Sequence, residues 1–247
     1  MYKRQSFYPY VQLGVMVLFV LIVYFALIST KKAEQNKVWV GLSKETAHQL
    51  GTPISSLMAW MDLLESSGVD PSLLSDMNKD VNRLSVIAER FSKIGSKPEM
   101  ELIYVNEVLE NATEYMRRRV SDKVLITTHL PSDAEGAMVC LSLFEWVIEN
   151  LCKNAVDAMN GEGRIDVYMT SEKQQIYIDI KDTGKGIARK NFKTVFNPGY
   201  TTKKRGWGLG LTLAKRIIED YHAGRIYVKD SEVGKGTTFR IELKRVV

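Results

Sequence analysis

The sequence predicts an α+β chain in three parts. These are an N-terminal transmembrane helix, an antiparallel helical hairpin that forms a dimeric four-helix bundle with a second copy, and a C-terminal α/β sandwich. Three observations predict it. Residues 10–28 are apolar and carry no charge, close to the ~20 residues that a hydrocarbon core requires. Residues 30–94 repeat apolar side chains at steps of three and four, the pattern of a helical seam. Beyond residue 98, short alternating segments mix with helical ones, as in layered α+β folds.

The 247 residues provide for one large or two modest domains. The formal charge of +5 comes without an aromatic-interleaved basic stripe, so no direct nucleic-acid binding is expected. Cys140 and Cys152 lie in apolar runs at no metal-ligand spacing and read as reduced, buried thiols of a cytosolic domain.

The expected organisation is a short segment at 1–9, a transmembrane helix at 10–29, a helical hairpin at 30–95, a linker at 96–102 and the sandwich domain at 103–247. A soluble core helix is rarely apolar on every face, and a signal peptide has a shorter apolar stretch. Lys31, Lys32, Lys37 and Lys44 follow the span, against Lys3 and Arg4 before it. That bias places the C-terminal bulk in the cytoplasm. The segment before the span is too short for a sensory domain, so the expectation is a fragment or a signal that enters by another route.

In the hairpin, the first seam is expected at Val38, Leu42, Thr46, Leu50, Pro53, Leu57, Trp60 and Leu64. The second is expected at Leu74, Met77, Val81, Leu84, Ile87, Phe91 and Ile94. His48 is two residues from both Thr46 and Leu50, about 200° around the helix from each, so it points away from that seam. Thr52 shares its face one turn on. Pro53 removes a backbone hydrogen bond and should bend the helix just beyond. Two antiparallel helices cannot bury two full seams alone; a homodimeric bundle would, and packing on the neighbouring domain is the alternative. Residues 66–72 read as the turn and 95–98 as the break that ends the hairpin.

Four segments of the C-terminal part carry candidate chemistry. On a helix at 143–159, Asn150 and Asn154 are four apart and share a face; their amide oxygens suit a Mg²⁺ that also binds phosphates. After a strand comes Asp182-Thr183-Gly184-Lys185-Gly186-Ile187. Its carboxylate can accept from an adenine amino group, and its glycines admit a flat ring. Then Thr201, Thr202 and Lys203 precede Gly206, Gly208, Leu209 and Gly210 at a helix start, where backbone N–H groups can meet an anion. Last, Gly234-Lys235-Gly236-Thr237 precedes the final strand. Taken singly, these read equally as surface amides, ordinary turns or a weak Gly-x-Gly pattern.

Their order and spacing resemble, box for box, the ATP-binding domain of two-component sensor histidine kinases, within the wider group of gyrase-type and chaperone ATPases. The stretch Leu42–Pro53 around His48 resembles the histidine box, and the resemblance extends from about Lys37 to Leu243. It implies an ATP-dependent protein-histidine kinase at the inner (cytoplasmic) membrane of a bacterium, single-pass in this chain. His48 would accept the γ-phosphate and pass it to an aspartate of a response regulator. Asn150 and Asn154 would hold Mg²⁺, with Asp157 beside them at the nucleotide. Asp182, Gly184, Gly186 and Thr237 would take the adenine end, and Thr201, Thr202 and Lys203 would form a mobile lid. Gly206, Gly208, Leu209 and Gly210 would surround the phosphates.

The pattern departs from the family in three places. Gln49 stands where an acidic residue usually follows the histidine; it cannot accept a proton, and Glu45 one turn earlier is the candidate replacement. Thr52 matches the position that orients water for dephosphorylating the partner, which implies phosphatase activity as well. Val156-Asp157-Ala158-Met159 replaces the usual Lys-Tyr after the second asparagine. His222-Ala223-Gly224 stands for the usual His-Gly-Gly and reads as structural. The alternative is an ATP-binding pseudokinase or scaffold that signals by conformation; a gyrase- or chaperone-type ATPase would need no histidine box.

Overall fold

The computed structural model describes residues 8–96, 98–203 and 208–246, with the side chains of 31–40, 42, 71 and 73 outside that description. Lys3, Arg4 and Gly206 therefore lie outside the described residues, as do the side chains of Lys31, Lys32, Lys37, Val38 and Leu42. The chain forms two compact units, Met1–Ser96 and Lys97–Val247.

In the first unit, α1 (Tyr8–Ser66) runs without interruption and contains Pro53. Its part Tyr8–Thr30 is long and apolar enough to cross a membrane, by length and composition. The turn holds Gly68 at φ 77°, and Val69 N–H closes back on Leu64 O at 3.3 Å. Asp70 then caps α2 (Pro71–Gly95), its carboxylate accepting from Ser72 N–H at 2.8 Å. Pro71 at the first helical position costs no hydrogen bond.

The hairpin core consists of Leu50, Ile54 and Met61 against Val81 and Ala88. The expected seam of α1 is therefore turned by one residue. Ile54 and Met61 are buried, whereas Leu57 and Trp60 are 40% and 64% exposed. The α2 seam likewise divides: Leu74, Val81 and Ile94 are buried, whereas Met77, Leu84 and Ile87 are exposed. Each helix carries a broad apolar stripe, and one partner helix covers only part of it.

In the second unit, β1 (Glu101–Tyr104) pairs antiparallel with β3 (Gly136–Val139) as a separate ribbon. The main sheet has the order β2-β4-β5-β7-β6, formed by β2 (Val124–His129), β4 (Gly163–Glu172), β5 (Gln175–Asp182), β6 (Arg225–Glu232) and β7 (Gly236–Lys244). The β2–β4 pairing is parallel and the rest antiparallel. A parallel pair needs a long crossover, here the stretch that includes β3 and α4 (Leu141–Ala158).

Strict alternation buries Ile165, Val167 and Met169 of β4 and Ile176, Ile178 and Ile180 of β5. The buried residues of α3 (Val105–Arg117), α4 and α5 (Gly210–Arg216) complete this apolar layer. On the opposite face, Asp179 accepts from Arg240 at 2.6 and 2.7 Å and from Lys229 at 2.6 Å. Burial would raise the Asp179 carboxyl, but these cations hold it below the usual range. Cys140 and Cys152 are buried free thiols, and burial pushes Cys152 up to about 12, which keeps it protonated and inert.

Candidate functional site

In the second unit, Asp182 ends β5 and is 3% exposed. Its Oδ1 accepts from Gly184 N–H at 2.8 Å and Thr237 N–H at 3.2 Å, which leaves Oδ2 for a donor entering the site. Burial pushes this carboxyl up, partly opposed by those two N–H groups. The chain then turns back. Lys185 N–H binds Ala158 O at 3.0 Å, and Gly234 N–H binds Lys185 O at 2.8 Å. Gly186 has φ 71°, and a Cβ there would lie 2.1 Å from Glu232 O, so no larger residue fits between the two loops.

A second group gathers on α4. Asn150 lies under the start of α5, where a Cβ on Gly210 would come within 2.5 Å of Asn150 Oδ1. The buried Asn150 Nδ2 has no hydrogen-bond partner. Buried amides are rarely left so, and this donor is what a phosphate oxygen would satisfy. One turn on, Asn154 Oδ1 accepts from Lys203 Nζ at 3.0 Å, and the same ammonium meets Asp157 Oδ2 at 2.5 Å. This corner therefore already holds a positive charge between hard oxygens, and its donor set fits a divalent cation with phosphates.

Between these groups, Thr201 Oγ1 accepts from Lys203 N–H at 3.1 Å, and Lys185 Nζ donates to Thr202 Oγ1 at 2.9 Å. Gly199 N–H binds Gly208 O at 3.2 Å and closes the base of the excursion. Gly208 and Leu209 lead directly into α5. Two residues here were not singled out by sequence reasoning: Lys185, which donates to Thr202, and Ser231, whose hydroxyl accepts from Ile187 N–H at 2.8 Å. Only the pairing of Ser231 with Thr237 in the β6–β7 register could have pointed to the latter.

In the first unit, His48 is exposed on α1. It lines an open groove with Lys44, Glu45 and Ser55 of α1 and with Ser85, Glu89 and Ser92 of α2. Gln49 Nε2 donates to Glu45 Oε1 at 2.6 Å, and Thr52 Oγ1 donates to His48 O at 3.4 Å. Gln49 is thus bonded to the carboxylate and not to the imidazole.

Residues 139–247 match the model of the histidine kinase-, DNA gyrase B-, and HSP90-like ATPase family. Over 220 residues the chain is 26% identical to sporulation kinase A of Bacillus subtilis, covering 87% of this chain and 36% of that protein. It is 26% identical over 226 residues to the sensor histidine kinase ZraS of Salmonella typhimurium, covering 88% of this chain and 48% of that protein. Thus the chain spans less than half the length of either relative. Among solved structures, the histidine kinase ThkA in complex with the response regulator protein TrrA aligns with a TM-score of 0.57 at 19% identity, covering 90% of this chain and 66% of that one. Residues 139–247 therefore form a domain of the histidine kinase-, DNA gyrase B-, and HSP90-like ATPase family, and the chain as a whole is a relative of the sensor histidine kinases.

Proposed function

We propose that this chain is the core of a membrane-anchored, homodimeric sensor histidine kinase that phosphorylates His48 from ATP and passes the phosphoryl group to an aspartate of a response regulator. The observation that carries this reading is the two-ended site of the ATPase-family domain. A buried Asp182 braced by Gly184 and Thr237 N–H groups forms one end, and the Asn150–Asn154–Asp157 face of α4 forms the other. The chemistry of the two ends suits a purine amino group at the first and a phosphate-bound cation at the second. Asp182 Oδ2 accepts from the adenine amino group, and Gly186 leaves room for the ring. Asn150 and Asn154 would hold Mg²⁺, with Asp157 beside them at the nucleotide, and the ion when bound would offset the charge of the phosphates. Lys203, now on Asn154 and Asp157, is free to move to the γ-phosphate when the lid closes.

The transfer is an in-line displacement. An imidazole nitrogen of His48 forms the N–P bond to the γ-phosphorus while the bond to the β–γ bridging oxygen breaks and ADP leaves. Glu45, one turn before His48 on the same side of the helix and lining the same groove, takes the ring proton. Gln49 orients that carboxylate by its 2.6 Å bond. A receiver-domain carboxylate then displaces the histidine, giving an acyl phosphate. Thr52, exposed one turn beyond His48, orients a water that hydrolyses this acyl phosphate, releasing inorganic phosphate and the free carboxylate, which is the phosphatase activity. The apolar part Tyr8–Thr30 supports anchoring in the inner membrane, and the lysines that follow it support a cytoplasmic location for the hairpin and the ATPase-family domain.

The test is incubation of the solubilised chain with γ-labelled ATP and Mg²⁺. An acid-labile, alkali-stable phosphoprotein should form, and His48→Gln should abolish it. Label that survives this substitution would overturn the assignment. A second reading rests on Gln49: a pseudokinase would bind nucleotide by calorimetry yet yield no phosphohistidine.

A further inference from the structure

Ser231 sits near the end of β6 and pairs across the hairpin with Thr237. Its hydroxyl makes three contacts. Ser231 Oγ donates to Gly236 O at 2.8 Å and accepts from Ile187 N–H at 2.8 Å. It also lies 3.0 Å from Thr237 Oγ1. A serine hydroxyl has one proton and two lone pairs. A carbonyl oxygen can only accept, so the Ser231 proton is committed to Gly236. The contact with Thr237 must then run the other way, with Thr237 donating its own proton to Ser231.

Thr237 is 4% exposed, and its N–H binds the Asp182 carboxylate at 3.2 Å. With its hydroxyl proton withdrawn into the Ser231 bond, its oxygen has only lone pairs to offer what lies beside Asp182. Under the nucleotide reading, in which Thr237 takes the adenine end together with Asp182, the groups that meet the base edge there are acceptors only: a carboxylate oxygen and a hydroxyl oxygen. Such a set favours a base edge that carries an amino group and disfavours one that carries a carbonyl, because unmatched buried acceptors lose their partners.

We propose that Ser231 is a positioning residue that fixes Thr237 as a hydrogen-bond acceptor and thereby sets the preference of the site for adenine over a 6-oxo purine. It does so without touching the nucleotide. The same hydroxyl joins the loop after Asp182, through Ile187, to the β6–β7 turn, through Gly236, so the two walls move together. The inference rests on the nucleotide reading of the site and adds to it the source of base discrimination.

The experiment compares ADP with IDP by titration calorimetry on the full chain in detergent with Mg²⁺. The unmodified chain should bind ADP at least about tenfold more tightly than IDP. In Ser231→Ala, the Thr237 hydroxyl can rotate and donate to a 6-oxo group. ADP binding should weaken, and the ADP-to-IDP ratio should fall about tenfold. Ser231→Thr keeps a hydroxyl at this position and should restore the ratio. If Ser231→Ala does not fold, Ser231→Cys carries the same comparison, its weak hydrogen bonding giving an intermediate ratio. Equal weakening of both nucleotides, or no change, reduces Ser231 to a structural residue and overturns the inference. Failure of the unmodified chain to bind ADP overturns the nucleotide reading, and the inference with it.

Discussion

Asp182 illustrates how a single side chain becomes a candidate binding group through its neighbours. It ends an alternating strand on the buried phase, and a carboxylate at such a position is costly without donors. Two backbone N–H groups supply them on Oδ1, and Oδ2 remains for a ligand. Asp182→Asn would keep an acceptor for the two N–H groups but turn an NH₂ toward the adenine amino group. We expect ADP affinity to fall about 10- to 100-fold, equivalent to about 1.5–3 kcal/mol for a hydrogen bond to a charged group, with little change in melting temperature. Calorimetric titration beside a thermal melt checks both. The candidate role of Asp182 was legible in sequence because a strand end followed by Thr-Gly is a local pattern. That of Ser231 was not, since its partners come from two loops that only the sheet register brings together.

At the scale of elements, the end of α5 contributes an unexpected coupling. The helix widens into a π-turn over Ile217–Tyr221, a local change of hydrogen-bond step. His222 follows, 5% exposed. Its Nδ1–H donates to Ile217 O at 2.7 Å, and its Nε2 accepts from Cys140 N–H at 3.0 Å. That pairing admits only the neutral ring, because a proton on Nε2 would face the Cys140 N–H. His222 thus ties the π-turn that ends α5 to Cys140, the residue that caps the start of α4.

Burial lowers the pKa of His222 against the pull of its two backbone bonds, so the folded chain resists protonation there while the unfolded chain accepts a proton near pH ~6.5. Above that value neither state is charged and this group adds no pH dependence. Below it the unfolded state binds more protons, and stability falls as pH drops toward the folded pKa. We expect urea midpoints of the C-terminal unit to decline between pH 7.5 and 5.5. His222→Gln should be less stable at pH 7.5 by about 1–3 kcal/mol and have a flatter pH profile. Parallel profiles would show that another group governs the decline.

The hairpin shows how far periodicity reaches. Steps of three and four identify both helices, yet they leave uncertain by one residue which side of a broad stripe meets the partner. In α1 the partner covers Ile54 and Met61, while Leu57 and Trp60 face outward. The orientation of His48 survives this rotation, because it lies well outside either stripe.

At the scale of the whole molecule, the described residues of both hairpin helices expose a set of apolar side chains outside the Tyr8–Thr30 segment. Leu57, Trp60 and Leu63 of α1 and Met77, Leu84 and Ile87 of α2 are each at least 40% exposed. Patches of this kind mark interfaces, and under the proposed function a second hairpin covers this one. Trp60→Glu with Ile87→Glu should weaken dimerisation of the solubilised chain more than tenfold, since burying each such side chain contributes about 1.5–3 kcal/mol. Sedimentation analysis reads this directly, with circular dichroism confirming retained helix; a dimer that persists would place the interface elsewhere.

The sequence by itself determined the identity of most elements, the order of the motifs and the outward phase of His48. These follow from local rules: the 3.6-residue helical period, strand alternation, and turn residues whose backbone demands are set within a few positions. Only the tertiary structure decided the parallel pairing of β2 with β4, the rotation of the hairpin seam, the Lys203 bridge to Asn154 and Asp157, the locked tautomer of His222, and the Ser231 hydroxyl that joins the loop at Ile187 to the β6–β7 turn at Gly236. Each of these depends on which distant segments share a sheet or a packed layer. Hydrogen-bond donors and acceptors far apart in sequence then meet at fixed positions, and spacing along the chain carries no trace of that meeting.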